Sequence, residues 1–301
     1  MIKSVTVTNS LGESKVLELT RPDLSGLNVK SITGLGPMKA SINLDDLASM
    51  DGSTFNSARV GTRNIVLTLG YTPYPTIEDC RHKAYKMFPV KKQLTLMFET
   101  DTRNVQISGY VESNEVDIFS ADEGSQVSIV CPDPNFYSAG AMQTTVFSGV
   151  SPCFEFPFWN DSLVTPLLET GIQVMDQRHN VYYAGDITTG AIFRVKANTL
   201  GVAENVAIYN VRTGAVMAID SDKDYTSVLD RGNELIITTL RGQKSVQILR
   251  NGVYLNKLNA LKTGATWLTV EPGDNDFAIT ATSGLEFLMF QIENPTIYEG
   301  V

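Results

Sequence analysis

Two histidines, His82 and His179, make up the whole imidazole inventory of the chain, and their isolation limits the chemistry available. A zinc site on a short motif needs clustered histidines or cysteines, and no such cluster occurs. His82 stands between Arg81 and Lys83 in a helical pattern, where a solvated position is the simpler reading. A serine or cysteine nucleophile needs a base that is itself oriented by a third group. There is no Gly-x-Ser-x-Gly elbow, and no signature of a cysteine enzyme surrounds Cys80, Cys131 or Cys153.

Carboxylates fare no better. Asp220-Ser-Asp222-Lys-Asp224 imitates the opening ligands of a calcium loop. Tyr225, however, stands where Gly must make the sharp turn, and Arg231 where a bidentate carboxylate must close the site. A polar loop between strands is expected there instead. The neighbouring pairs Asp45-Asp46 and Asp122-Glu123 would serve glycoside hydrolysis only at a set separation across a cleft, and adjacent acids in a turn are ordinarily solvated. Gly34-Leu35-Gly36 lacks the later Gly and following helix of a nucleotide loop, so its glycines are expected to turn the backbone. No catalytic residue, cofactor site or metal site is expected.

What remains suggests contact more than reaction. Arg81, Lys83, Lys86, Lys91 and Lys92 form one local positive patch in a chain of net charge −9. It reads as a solvent-facing helix side or as a contact with an acidic neighbour. Trp159 and Trp267, with Phe154, Phe156 and Phe158 alternating before the first, fall in a β-rich half, where aromatics more commonly fill a core than stack sugars.

The elements that must position these residues are mostly strands. Ser4 to Thr8 and Lys15 to Thr20 alternate around a Gly12 turn, and Arg63 to Tyr71 puts Ile65, Leu67 and Leu69 on one face. One helix is expected over 76–88. Thr76 can cap it and Asp79 completes the box, Ile77, Cys80, Ala84 and Met87 share a face, and Pro89 ends it. Strands are expected again at 93–98, 105–111 and 126–130. Cys131 to Gly140 then breaks the pattern with two prolines, Asn, Ser and Gly, and marks a boundary between domains 1–138 and 139–301.

Beyond the boundary strands are expected at 144–150, 190–197, 205–209, 235–239, 246–254, 267–270, 277–281 and 287–292, with Asn251-Gly252 as a hairpin turn. The fold class is therefore mainly β: an amino-terminal α+β domain with one helix, then a β-sandwich, most simply a jelly roll. The hydrophobic share of 43% suits two packed cores. The acidic balance argues against recognition of nucleic acid or an anionic membrane. No apolar run reaches membrane-spanning length, and three scattered cysteines read as free thiols.

Composition stops at an assembly protein. Resemblance goes further. Residues 32–71 carry a Gly34-Leu35-Gly36-Pro37 turn, an Asp51-Gly52 turn and the Arg63-led strand, and this order resembles the amino-terminal region of siphophage distal tail (Dit) proteins. Val127 to Ser138, with its Cys-Pro-Asp-Pro-aromatic run, is similar to a stretch of the same family. So, in order, are the runs 207–220, 232–256 and 267–279 and the closing Tyr298-Glu299-Gly300-Val301. Ala215, where the family has Glu, and Asp276, which shifts the Pro-Gly-x-Asn run, depart from it.

The resemblance implies a β-barrel-like ring-forming domain followed by a galectin-like β-sandwich. It implies a homo-hexameric ring at the virion tail tip or baseplate, assembled in the bacterial host cytoplasm, in a siphophage or a phage-tail-like particle such as a tail-like bacteriocin. The implied partners are further copies of the chain, the tail-tube protein, a tail-associated fibre or lysin protein and a receptor-binding protein. Carbohydrate binding by the sandwich is the alternative, although no sugar-binding residues of the family can be matched. A mobile arm is expected over Ile32 to Val60. The interface candidates are Met38, Ile42, Asp51, Phe55 and Arg63 in or beside it, and Arg81, Lys83 and Lys86 on the helix.

Overall fold

The computed structural model describes residues 1–46, 51–73, 75–119, 122–152, 171–175, 177–198, 201–230 and 232–301. Cys153, Phe154, Phe156, Phe158, Trp159 and Arg231 lie outside them. The chain divides into two compact units, Met1–Ala141 with Ile297–Val301, and Met142–Thr296.

In the first unit the alternating runs become strands β1 (Ile2–Asn9), β2 (Ser14–Glu18) and β3 (Leu27–Thr33). After them come the pair β4 (Ala40–Asp46) and β5 (Ser53–Val60), then β6 (Arg63–Tyr71). The helix α1 (Ile77–Met87) follows. Strands β7 (Gln93–Thr100), β8 (Asn104–Asp117), β9 (Gly124–Cys131) and β10 (Phe136–Ser138) complete the series. One sheet runs in the order β2-β1-β7-β8-β9-β6-β3, with β10 added to β8. No ladder among the described residues joins β2 to β3.

α1 begins as its sequence dictates. The Asp79 N–H donates to Thr76 Oγ1 at 3.1 Å, and the Thr76 hydroxyl donates to Asp79 Oδ2 at 2.6 Å. Its apolar face puts Cys80, Ala84 and Met87 against Val5, Leu67, Leu96, Phe98 and Ile129 in one core.

In the second unit, β11 (Gln143–Val146) and β12 (Ser148–Pro152) replace the single strand expected at 144–150. The chain continues through β13 (Gly171–Met175), β14 (Arg178–Tyr183), β15 (Ile192–Ala197), β16 (Val202–Ala203), β17 (Ala207–Asn210) and β18 (Val216–Ala218). It then forms β19 (Leu229–Asp230), β20 (Glu234–Thr238), β21 (Ser245–Arg250), β22 (Val253–Asn256), β23 (Gly273–Thr280) and β24 (Leu288–Asn294). A six-stranded sheet, β11-β24-β15-β20-β21-β22, shares one core with a four-stranded sheet, β14-β23-β17-β18. Phe193 of the first meets Phe277 of the second edge to face at 5.5 Å.

The expected strand at 267–270 does not form. Leu268 and Val270 are buried by alternation, but Val270 makes only an isolated bridge to Thr189. Burial on one side produced the pattern there without a continuous partner strand. After β24 the chain returns to the first unit as β25 (Ile297–Tyr298), which pairs with β10.

Candidate assembly site

The segment expected to be a mobile arm is, over much of its length, a paired ribbon. Among the described residues β4 and β5 bond only to each other and join no other ladder. Directly opposed residues share a face, so Ala40 with Val60, Ile42 with Ala58 and Leu44 with Phe55 build one apolar face. Ser41 with Arg59, Asn43 with Ser57 and Asp45 with Thr54 build the polar one. A bulge between Asn43 and Leu44 shifts the register by one residue. Without it Leu44 would oppose Asn56 and Phe55 would fall on the polar side. The apolar face is open, with Ile42 59% and Phe55 62% exposed.

The root of this ribbon is built differently. Gly34 has φ +83°, and a Cβ there would lie 2.2 Å from the Asn64 carbonyl, so only glycine fits the turn out of β3. Where the ribbon returns, Arg63 is 1% exposed. Its Nη1 donates to Gly34 O at 2.5 Å and Gly36 O at 2.7 Å, its Nε to Pro134 O at 2.5 Å and its Nη2 to Glu299 O at 2.7 Å. The guanidinium lies 4.5 Å from the centre of the Phe136 ring.

A buried cation is costly unless its donors are satisfied, and here carbonyl dipoles do so. Burial pushes the Cys131 thiol up to about 11, against the opposing effect of Arg63, so the sulfur stays protonated and supplies no counter-charge. Burial likewise lowers the pKa of Arg63 itself, although an arginine remains charged at any ordinary pH. The segments meeting at this one side chain are the Gly-Leu-Gly-Pro turn, the Cys-Pro-Asp-Pro run and the closing Tyr-Glu-Gly-Val. Sequence order alone could not bring them together.

The other interface candidates separate into groups. Met38 is half-buried beside the root, and Asp51 is exposed in the ribbon turn next to Gly52, whose φ is +101°. On α1 two residues of the positive patch are paired within the unit. Arg81 lies 3.4 Å from Glu78 Oε1 and 3.7 Å from Glu123 Oε2, and Lys86 lies 2.8 Å from Glu13 Oε1. Lys83 is half-buried beside Lys15. Arg63 faces inward, and its donors are used by its own unit.

In the second unit the motif residues chiefly brace turns, although Asn275 also reaches Val181 O at 3.4 Å. Asn210 Oδ1 accepts from the N–H groups of Arg212 and Thr213, which turns β17 into β18. Asn275, fully buried, braces the Pro-Gly turn: its Oδ1 accepts from Glu271 N, and its Nδ2 donates to Glu271 O at 2.7 Å and Gly273 O at 3.0 Å. The aspartates of the calcium-like loop do not converge. Asp224 binds Lys257 at 2.8 Å, Asp222 accepts from Asn205, and Asp220 accepts from Lys223 N. No group of three metal-ligating residues occurs among the described residues.

Comparison with solved structures decides what these units amount to. The crystal structure of the Dit (gp 19.1) protein of SPP1, described as a paradigm of the hub adsorption apparatus in phages infecting Gram-positive hosts, aligns over 97% of this chain and 98% of its own. The TM-score is 0.61 and the identity 11%. The chain has the distal tail protein fold. Two structures of the phage P2 baseplate in its activated conformation, with Ca and with Sr, align over 98% and 97% of this chain and of their own. Their identities are 11% and 10%, and their TM-scores of 0.45 and 0.44 are too low to fix a fold. No protein-family model and no curated sequence matches the chain.

The outer face of β14-β23-β17-β18 is the other feature of note. Arg178 binds Asp276 Oδ2 at 2.8 Å, Asn180 reaches Asp276 Oδ1 at 3.4 Å, and exposed Tyr182 and Tyr209 lie on the same sheet face. A groove of about 380 Å³ beside Tyr209 is floored by Ala207, Ala218 and Ala281 and rimmed by Lys262, Thr280 and Thr282.

Proposed function

We propose that the chain is a structural hub subunit of a phage tail tip, closing a homo-hexameric ring through the β4–β5 ribbon. The observation that carries this reading is the ribbon's open apolar face on a chain with the distal tail protein fold. A two-stranded ribbon is marginal by itself in water, and an exposed apolar stripe of this kind is what an interface leaves when its partner is absent. A ring of identical subunits uses two different faces of each, so the ribbon of one copy seats on another part of the next. The two units act as an amino-terminal ring domain and a galectin-like outer sandwich. The ring joins the tail tube above to a fibre, lysin or receptor-binding protein below, and catalyses nothing itself. It is assembled in the host cytoplasm and remains at the virion tail tip or baseplate.

Native mass spectrometry and gel filtration of the full chain test this reading. A chain lacking 45–58 is expected to fold and stay monomeric where the parent forms rings, and rings from that deletion would sink the proposal. A zymogram on cell-wall substrate tests the claim of no catalysis, and a lytic zone lost on mutating a carboxylate would overturn it.

A second reading draws on the sandwich. Tyr182 and Tyr209 flank the Arg178–Asp276–Asn180 cluster, and this mix of ring faces and fixed polar groups is suited to stacking and hydrogen-bonding a sugar. A glycan array with the full chain and with Tyr182→Ala and Tyr209→Ala tests it. Binding lost in the variants would add a receptor role, and no binding by the parent would remove it.

A further inference from the structure

Residues 297–301 run from β10 to the ribbon's root. Ile297 and Tyr298 pair with Tyr137 and Phe136, and the Arg103 guanidinium sits 4.5 Å from the Tyr298 ring. Glu299 offers its carbonyl to Arg63. Gly300 lies so close to the root that a Cβ on it would stand 3.0 Å from Leu35 O and 3.5 Å from Gly36. The Val301 N–H donates to Leu35 O at 3.1 Å. Arg63 therefore holds Gly34, Gly36 and Glu299 with one planar group, at the point where the ribbon leaves and rejoins the sheet.

We propose that residues 297–301 are a latch that fixes the pose of the β4–β5 ribbon, with Arg63 as the positioning residue between them. The physical basis is shared satisfaction of one buried charge. If Glu299 withdraws, Nη2 is left buried without its acceptor, and the remaining contacts to Gly34 and Gly36 must loosen or admit water. If the tail is docked, four of the five guanidinium N–H groups have acceptors and the root is rigid. Tail and ribbon do not pair with each other, yet each stabilises the other through Arg63.

The sequence separation gives the latch a use. Residues 297–301 are synthesised after the ribbon and after the whole second unit, and the Arg63–Glu299 contact closes a loop of more than two hundred residues. A ribbon with an open apolar face is a hazard on an unfinished chain. With the latch, the ribbon reaches its ring-closing pose only in a chain that has completed its second unit and returned. This rests on the ring reading of the ribbon, and the experiment separates the two.

Hydrogen–deuterium exchange of peptides covering 34–46 and 53–62, with native mass spectrometry of the same samples, compares the parent with two variants. One lacks 297–301. The other, Gly300→Val, keeps β25 but pries the chain off Leu35, so a folding defect from losing Ile297 cannot imitate the result. Exchange at the root is expected to quicken about tenfold in both, and the concentration for half-assembly to rise by a similar factor. Unchanged exchange at the root in both variants overturns the latch, as do rings at the parent's concentration despite faster exchange. A parent that stays monomeric overturns the ring reading alone, because the exchange comparison still reads the latch directly.

Discussion

Both units carry runs that resemble the same family, yet they use them in opposite ways. In the first unit the Gly34–Pro37 turn, the Cys131–Pro134 run and Glu299 lie up to 236 positions from Arg63, and all meet at its guanidinium. In the second, Asn210 serves a turn within three residues of itself and Asn275 braces one four residues back. One motif side chain joins three distant segments of its unit, whereas Asn210 and Asn275 chiefly brace turns, with one longer reach from Asn275 to Val181 O at 3.4 Å. The difference teaches where substitution should be global and where it should be local.

The sharpest way to break the comparison is Arg63→Met. It removes a buried donor group shared by four carbonyls, and the first unit should lose about 3 kcal/mol. Trp267 packs against the second unit's core, so in a Trp159→Phe background fluorescence reports that unit, whereas far-ultraviolet circular dichroism reports both. In urea the variant should show an early dichroism transition with the fluorescence midpoint unmoved. A fluorescence midpoint that falls in step would show that the constraint is not confined to the first unit.

Next in size is Asn275→Ala, which leaves Glu271 and Gly273 carbonyls and the Glu271 N–H without their partner. About 2 kcal/mol should be lost from the second unit, moving the fluorescence midpoint and leaving exchange at 34–46 unchanged. Asn210→Ala, at a turn nearer solvent, should cost about 1 kcal/mol by the same measurement. If the two losses are strongly non-additive in the double variant, the turns are coupled and the contrast with Arg63 weakens.

Phe55→Ser sits at the other extreme for monomer stability. Its side chain is already exposed, so the midpoints should hold within ~0.5 kcal/mol, while ring formation in native mass spectrometry should fall away. A stability loss above 1 kcal/mol would mean that the ribbon packs on its own subunit.

Legibility from sequence divides along the same line. Thr76, Asp79 and the Cys80-Ala84-Met87 spacing announced α1 nearly to the residue, and Asn251-Gly252 announced its hairpin, with φ of 51° and 78°. Those signals are local. The pairing of β4 with β5 was not legible, nor the bulge that keeps Phe55 facing Leu44, because register belongs to two strands jointly. The burial of Arg63 was not legible, since an arginine opening a strand ordinarily reads as surface. Only the resemblance hinted that it mattered, by setting it in the same series as the turns it holds. Edge strand β14 and the return of β25 to the first unit left no local pattern at all.

The smallest effect is the most discriminating for mechanism. Hydrogen bonds from Lys257 and then Thr226 hold the Asp224 carboxyl down to about 2. A carboxylate depressed in the folded state stabilises above its unfolded value of ~3.9 and loses that contribution as pH falls through its folded value. The stability gap between the parent and Lys257→Met, below ~1 kcal/mol for a partly exposed pair, should therefore be full at pH 6 and close between pH ~4 and ~2. The Arg63 clasp offers no such handle, since its acceptors are carbonyls and the guanidinium keeps its proton throughout. The gap between the parent and Arg63→Met should stay flat over the same acid range. A gap that closed with acid would mean that a carboxylate, and not the backbone, balances the buried charge, and the comparison between the units would have to be redrawn on that ground.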